Sequence, residues 1–212
     1  MHIVISGNIG SGKTTLTKML ARHYGLEMRL ESVIDNPYLS DYYSDMKRWA
    51  LNLEVYFLKE RFRDLLDIQR SEQGVIQDRS IFEGVYIFAA NNHDMGNMSD
   101  RDFDTFMGLF KSMMMAIKKP DLMVYLKSSV PHLVDNINLR GRRYEQNMRL
   151  DYLKNLNDRY DKFFARQYKG KSITIDVEGM DFLHRRADFA AITKTINKKL
   201  NLRPTTLFET EE

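Results

Sequence analysis

The sequence predicts an α/β protein: a five-stranded parallel sheet flanked by helices. Three observations carry this. Five short strand-like segments alternate with longer segments of helical spacing. Such alternation requires crossover connections, hence parallel pairing and a sheet covered on both faces. A glycine-rich turn joins the first apolar run to the first helix.

His2 to Ser6 is a short apolar run ending at glycines, and reads as a buried strand. Thr14 to Tyr24 has helical spacing at Leu16, Leu20 and Ala21, and Gly25 stops it. Glu27 to Leu30 is a weak second strand. Leu39 to Met46 is a short helix after Pro37, and Lys47 to Ser71 is a long one. Val75 to Gln77 is a strand running into Asp78-Arg79-Ser80. Ile81 to Asn91 and Asp100 to Ile117 are helices. Leu122 to Leu126 is a strand after Pro120-Asp121. Val130 to Leu139 and Leu150 to Gln167 are helices, Ser172 to Val177 a last strand, and His184 to Leu200 a last helix. The run Met113-Met114-Met115 reads as helix core.

The 212 residues suit one domain, expected over 1–200. The tail 201–212 holds a proline, three threonines and three glutamates, and is expected to be mobile or to depend on a partner. Thirty-two basic and 29 acidic residues give a net charge of +3, too balanced to argue for nucleic acid or a membrane as partner. There is no cysteine, which excludes disulfides and thiolate metal sites and fits a reducing compartment. No signal-peptide pattern and no run of about 20 apolar residues is present, so the expected location is cytoplasmic.

Gly7-Asn8-Ile9-Gly10-Ser11-Gly12-Lys13-Thr14 matches the phosphate loop G-x-x-x-x-G-K-[ST] at every fixed position. Glycines let the backbone turn tightly and aim N–H groups inward, toward an anion that the following helix N-terminus also favours. Lys13 can reach the outer phosphates of ATP, and the Thr14 hydroxyl suits Mg²⁺. No guanine-reading N-K-x-D and no strand ending in Asp-Glu is evident, which argues against a GTPase and against a motor ATPase. Arg140-Gly141-Arg142-Arg143 lies between two late helices. Three arginines around a glycine suit a lid that closes over phosphates, because each guanidinium can pair two phosphate oxygens and stays charged. A solvated basic turn is the competing reading. Loop and lid together point to a P-loop kinase fold with an Arg-rich lid.

Gly7 to Thr15, Glu31 with Asn36-Pro37-Tyr38, Trp49 to Arg61, Asp78-Arg79-Ser80, Ile87-Phe88-Ala89 and Arg140-Gly141-Arg142 occur in the order of the deoxynucleoside kinases. The sequence resembles that family over nearly its whole length, and within it the bacterial deoxyadenosine and deoxyguanosine kinases. The resemblance implies ATP-dependent phosphorylation of a deoxynucleoside at its 5′-hydroxyl, with Mg²⁺, in nucleotide salvage, by a homodimer packed through the Lys47 and Asp100 helices. It makes Glu31 the general base. Asp78 then helps to hold Mg²⁺, although Asp is also a favoured helix cap. Arg79 contacts the 5′-oxygen and the transferred phosphate, with Arg140 and Arg142 in the lid. Gly7 to Thr15 bind ATP, and Asp181-Phe182 resemble the family's adenine-contacting loop. Asn136 stands where the family has an arginine. Tyr43 and Glu145 hold the sugar 3′-hydroxyl, with adjacent Tyr42 able to serve in place of Tyr43. Glu54, Arg61, Gly84 and Phe88 fall on base-site positions.

Glu54 lies within Trp49 to Leu58, where eight residues in ten are apolar, which predicts a helix buried on most sides. A buried carboxylate needs a partner, and the sequence offers Arg61 two turns on, or a ligand. An ionised carboxylate only accepts hydrogen bonds, and guanine offers two adjacent donors. The expected order is therefore deoxyguanosine first, deoxyadenosine second and pyrimidines poor, unless Arg61 occupies both oxygens. Gly84 stands where purine-using relatives often carry aspartate. Rival readings are a kinase of pyrimidine or broad specificity, a kinase of another small acceptor, and a non-catalytic nucleotide-binding regulator.

Overall fold

A computed structural model of the chain describes residues 1–31, 36–142 and 149–202. Its sheet has the strand order β2-β3-β1-β4-β5, with every neighbouring pair parallel. The strands are β1 (His2–Gly7), β2 (Glu27–Arg29), β3 (Val75–Asp78), β4 (Leu122–Lys127) and β5 (Ser172–Asp176). The fold class expected from the sequence is the one observed.

The period of two along each strand divides the core into two layers. Ile3 and Ile5 of β1, with Leu122, Val124 and Leu126 of β4, face helices α1 (Lys13–Tyr24) and α9 (Arg186–Leu200) through Leu16, Leu20, Ile192 and Ile196. Val4, Met123 and Tyr125 point the other way. They face the layer of α2 (Leu39–Ser44), α3 (Met46–Arg70), α6 (Asp100–Met114) and α8 (Leu150–Lys162), through Leu53, Leu58, Phe106, Phe110, Leu156 and Tyr160. Helix α7 (Val130–Arg140) starts at Ser129, whose hydroxyl caps His132, and ends at the left-handed Gly141.

The helix expected over 81–91 is longer and irregular. Here α4 (Ile81–Glu83) runs through a wide π-helical turn (Gly84–Ala89) into α5 (Ala90–Asp94). A second π-helical turn (Phe163–Gln167) ends α8. Such turns add a residue to the helical circuit and leave no mark in a sequence read for a 3.6-residue period.

One packing expectation is met in part and another is corrected. The buried residues of α3, among them Leu53, Glu54, Leu58, Arg61 and Leu65, form a stripe at spacings of three and four. Over 49–58 four residues are buried, five half-buried and Val55 alone exposed, so the burial expected on most sides is met only in part. Met115, expected in the core, is 88% exposed just past the end of α6.

The carboxyl ends of β1, β2 and β3 all lie at one edge of the sheet, which is where ligands collect in parallel α/β folds.

Candidate active site

β1 delivers the glycine-rich loop. Gly10 and Gly12 have left-handed φ of 84° and 83°. A Cβ on Gly10 would stand 2.5 Å from the Leu133 carbonyl oxygen, and one on Gly12 would stand 2.8 Å from the Phe182 ring. Both conformation and space therefore demand glycine. Lys13 Nζ, buried, donates to the Asn8 carbonyl oxygen at 2.7 Å across the loop. Burial, and then the charge of Arg79, lower its pKa to about 8. Asn8 itself packs inward, donating to the Leu153 carbonyl and to Asn157.

β3 delivers Asp78 and Arg79. Asp78 Oδ2 accepts the Thr14 hydroxyl at 2.5 Å, while its buried Oδ1 has no hydrogen-bond partner. Burial pushes this carboxyl above its usual range, with Lys13 pulling the other way. The helix cap that Asp78 was expected to offer is supplied by Ser80, in a capping box with Glu83. Arg79 is non-glycine at a φ of 69°. Its Nε donates to Glu31 Oε2 at 2.9 Å and its Nη1 to the Tyr160 hydroxyl at 2.7 Å, and its guanidinium lies 4.6 Å over the Phe88 ring.

Glu31, just beyond β2, is gripped from two sides: Arg79 holds Oε2 and Arg61 of α3 holds Oε1. Burial would raise its pKa, but the two guanidinium charges outweigh that and hold it near 2. Arg61 is thus spent on Glu31 rather than on Glu54. Gly84 makes this possible, because a Cβ there would lie 2.3 Å from Arg61 Nη1. Glu54, 3% exposed, instead accepts a hydrogen bond from Asn92 Nδ2 at 3.0 Å. Burial pushes its pKa up to about 8 against the pull of Arg61.

These groups line one cavity of about 500 Å³, within the range of small-ligand sites. Lys13, Thr14, Asp78, Arg79, Arg140 and Arg142 line it on the side of the glycine-rich loop's lysine. Glu31, Tyr43, Glu54, Arg61 and Phe88 line the remainder. Asp181 and Phe182 do not line it. The Asp181 carboxylate accepts the His184 backbone N–H, and the Phe182 ring packs behind Gly12. Asn136 donates to the Gly10 carbonyl at 2.8 Å and so braces the glycine-rich loop. Glu145 and Arg143 lie outside the described residues.

Sequence reasoning missed several lining residues: Lys18, Leu39, Leu53, Phe57 and Tyr152. Only Lys18, one helical turn after Thr14, had a local signal. It also missed Glu83, which is 0% exposed. Glu83 Oε2 accepts the Ser6 hydroxyl and the Ser80 N–H, each at 2.7 Å. Its Oε1 accepts the Tyr160 hydroxyl at 2.9 Å and the Gly7 N–H at 3.3 Å. One carboxylate therefore ties the root of the glycine-rich loop to the support of Arg79.

A family model described as Deoxynucleoside kinase matches residues 3–201. A deoxyadenosine/deoxycytidine kinase of Bacillus subtilis is 36% identical over 184 residues, 86% of this chain and 85% of the relative. A deoxyguanosine kinase of Lactobacillus acidophilus is 35% identical over 207 residues, 93% of this chain and 90% of the relative. The solved structure of a deoxyadenosine kinase from M. mycoides with bound dATP superposes with a TM-score of 0.82 at 28% identity, covering 93% of this chain and all of that one.

Proposed function

The chain belongs to the deoxynucleoside kinase family, and on that premise we propose that it transfers the γ-phosphoryl group of ATP to the 5′-hydroxyl of purine deoxynucleosides. The observation that carries this is Glu31, an ionised carboxylate facing the same cavity as the phosphate-loop Lys13.

The 5′-oxygen attacks the γ-phosphorus. A new P–O bond forms as the bond to the β–γ bridging oxygen breaks, its electron pair leaves with ADP, and the hydroxyl proton passes to Glu31. A carboxylate held near pKa 2 is a weak base, which suits a loose transition state in which the nucleophile is little deprotonated. Its first task is orientation, with Arg79 and Arg61 fixing both oxygens. The N–H groups of residues 7–15 and Lys13 hold the phosphates, and Arg140 and Arg142 neutralise the moving group from the lid. Tyr43 and Glu145 are proposed to hold the 3′-hydroxyl, with Phe88 stacking on the base. Asp181-Phe182 support the adenine side of ATP from behind the loop.

Mg²⁺ would be held by Thr14 and Asp78. The unpartnered Asp78 Oδ1 and an all-oxygen donor set fit a hard cation that takes one or two protein oxygens beside its phosphates. The ion would offset charge on the β- and γ-phosphate oxygens.

Ranking deoxyguanosine above deoxyadenosine required an ionised Glu54. Its burial removes that premise at neutral pH, so the proposal covers both purines. The wider reading keeps a single domain over 1–200 with a tail at 201–212, of which 203–212 lie outside the described residues. It also keeps a cytoplasmic location and a homodimer formed through α3 and α6, where Val55 and Leu109 are exposed. Among the described residues no helix is long and apolar enough to cross a membrane.

The test is turnover with ATP against the four deoxynucleosides and their ribose counterparts, with Lys13→Ala as control. Transfer to deoxyadenosine and deoxyguanosine, lost in Lys13→Ala while the protein stays folded, is expected. Transfer to none of the eight acceptors would overturn the reading.

A further inference from the structure

Glu54 is buried, faces the base end of the cavity and, among the described residues, forms no ion pair. Among the described residues the charged and titratable groups around it are Arg61, Arg79, Glu31, Tyr42, Tyr43 and Tyr152, with Tyr43 of α2 lining the same cavity. Arg61, on the same helix, is bound to Glu31, and Arg79, after β3, is bound to the other oxygen of Glu31. Glu31 itself adds a like charge. Tyr42 of α2 and Tyr152 of α8 present hydroxyls that burial holds in the neutral form. The direct partner is a neutral amide, Asn92 of α5. The orientation of that amide is set from behind, since Asn92 Oδ1 accepts the Tyr42 hydroxyl at 2.8 Å and Asn97 Nδ2 at 3.2 Å. Its N–H group is therefore aimed at Glu54 Oε1, and among the described residues no donor reaches Oε2.

An isolated carboxylate in such surroundings takes up a proton rather than remain charged. The amide N–H on Oε1 makes that oxygen the carbonyl and leaves the proton on Oε2. We infer that Glu54 reads the base as a neutral carboxylic acid, with Oε2–H donating and Oε1 accepting, and that ionisation of this one group turns a site open to adenine into one selective for guanine. Asn92 is then a positioning residue that fixes which oxygen carries the proton.

The hydrogen-bond patterns follow from the bases. Adenine offers the N1 acceptor beside the N6 donor, and only the neutral acid complements both. Guanine has two options. Its O6 and N1–H fit the neutral acid, and its N1–H and 2-amino group fit the carboxylate. Raising the pH should remove adenine recognition and spare guanine. The expected crossover lies near 8, the value to which burial lifts this carboxyl.

This inference rests on the deoxynucleoside kinase reading, and its test separates the two. The measurement is kcat/KM for deoxyadenosine and for deoxyguanosine, because that quantity reports the free enzyme, from about pH 6.5 to about pH 9. Taking the ratio at each pH cancels everything the two substrates share, including Lys13, Glu31, the lid and ATP. In the wild type the adenine-to-guanine ratio should fall about tenfold across that window, as about nine-tenths of the acid ionises one unit above its pKa. In Glu54→Gln, whose amide donates and accepts at every pH, the ratio should stay flat. A flat wild-type ratio, or an equal fall in Glu54→Gln, overturns the inference while leaving the kinase reading intact. Absence of turnover with both nucleosides at every pH sinks the kinase reading itself and the inference with it.

Discussion

Replacing Glu83 by glutamine should weaken the fold by a calculable amount and slow phosphoryl transfer in the molecules that remain folded. The wild-type carboxylate accepts four hydrogen bonds, two on each oxygen. An amide keeps one oxygen and turns the other into a donor. Of the four partners, the Ser6 and Tyr160 hydroxyls can rotate and accept, but the Gly7 and Ser80 N–H groups cannot. The amide therefore settles with its NH₂ toward the longer contact, Gly7 N–H at 3.3 Å, and leaves that donor and the Tyr160 O–H unsatisfied. Each unpaired buried donor costs about 1–3 kcal/mol, so the expected loss in urea unfolding is about 2–6 kcal/mol. Glu83→Ala strands all four donors and opens a cavity, a loss on the order of 5 kcal/mol, comparable with the whole stability of a typical domain. Activity should fall too, because the Tyr160 hydroxyl, turned to accept from the amide, no longer presents the same face to Arg79 Nη1. A fall in kcat of about tenfold with the nucleoside KM little changed is expected, about 1.4 kcal/mol in the transition state. A Glu83→Gln protein of unchanged stability and unchanged kcat would refute the claim that this carboxylate organises the loop and Arg79 together.

Three further outcomes are expected. Glu31→Gln should cut kcat by on the order of 10²–10⁴ with nucleoside binding retained, the usual range for loss of a general base. It should also remove acid sensitivity. The wild-type pKa lies near 2, below the ordinary glutamate value, so this group's stabilisation is full above about pH 4.5 and is lost as the pH falls toward 2. An acid-unfolding curve that does not differ between the two proteins contradicts the double ion pair. Arg142→Ala and Arg140→Ala, tested singly, should lower kcat more than they raise the nucleoside KM, and a change confined to thermal stability would remove them from catalysis. Gly84→Ala sets two effects against each other. Alanine favours a helical position by about 1 kcal/mol, but the new Cβ must displace the Arg61 guanidinium that Glu31 holds. Nucleoside kcat/KM should fall at least about tenfold with little change in stability, again about 1.4 kcal/mol, and unaltered kinetics would show that Arg61 has room to spare.

The glycine-rich loop was legible because its chemistry is local: eight consecutive residues specify the turn, the lysine and the hydroxyl. Strands β1 and β4 were legible for the same reason, as short apolar runs. What escaped was pairing across distance. Helical spacing puts Arg61 on the face of Glu54, yet its guanidinium reaches past that residue to Glu31, thirty positions away in the chain. Glu83 carries no sequence mark beyond its place three residues after Ser80. A surface helix cap and a buried hub have the same spelling, and only the approach of Ser6 and Tyr160 distinguishes them. Tyr42 and Tyr43 illustrate a milder failure. Adjacency left either able to serve, and in the fold both line the cavity. The burial that neutralises Glu54 is likewise a property of packed neighbours and not of the residue.

The π-helical turn at Gly84–Ala89 sets the phase of everything after it. Glu83, before the turn, faces the loop and Tyr160, whereas Asn92, after it, faces Glu54. Each residue of an α-helix advances the azimuth by about 100°, so the surplus residue acts as a phase shifter between two functional faces of one rod. Excising a single residue from 84–89 would leave a regular and well-formed helix in which Asn92 has swung about 100° away from its carboxylate. Such a deletion should yield a folded kinase that still transfers phosphate but discriminates less between adenine and guanine, since Glu54 has lost the amide that fixes its proton. Retained discrimination in that variant would mean that the helix can slip to restore its own register.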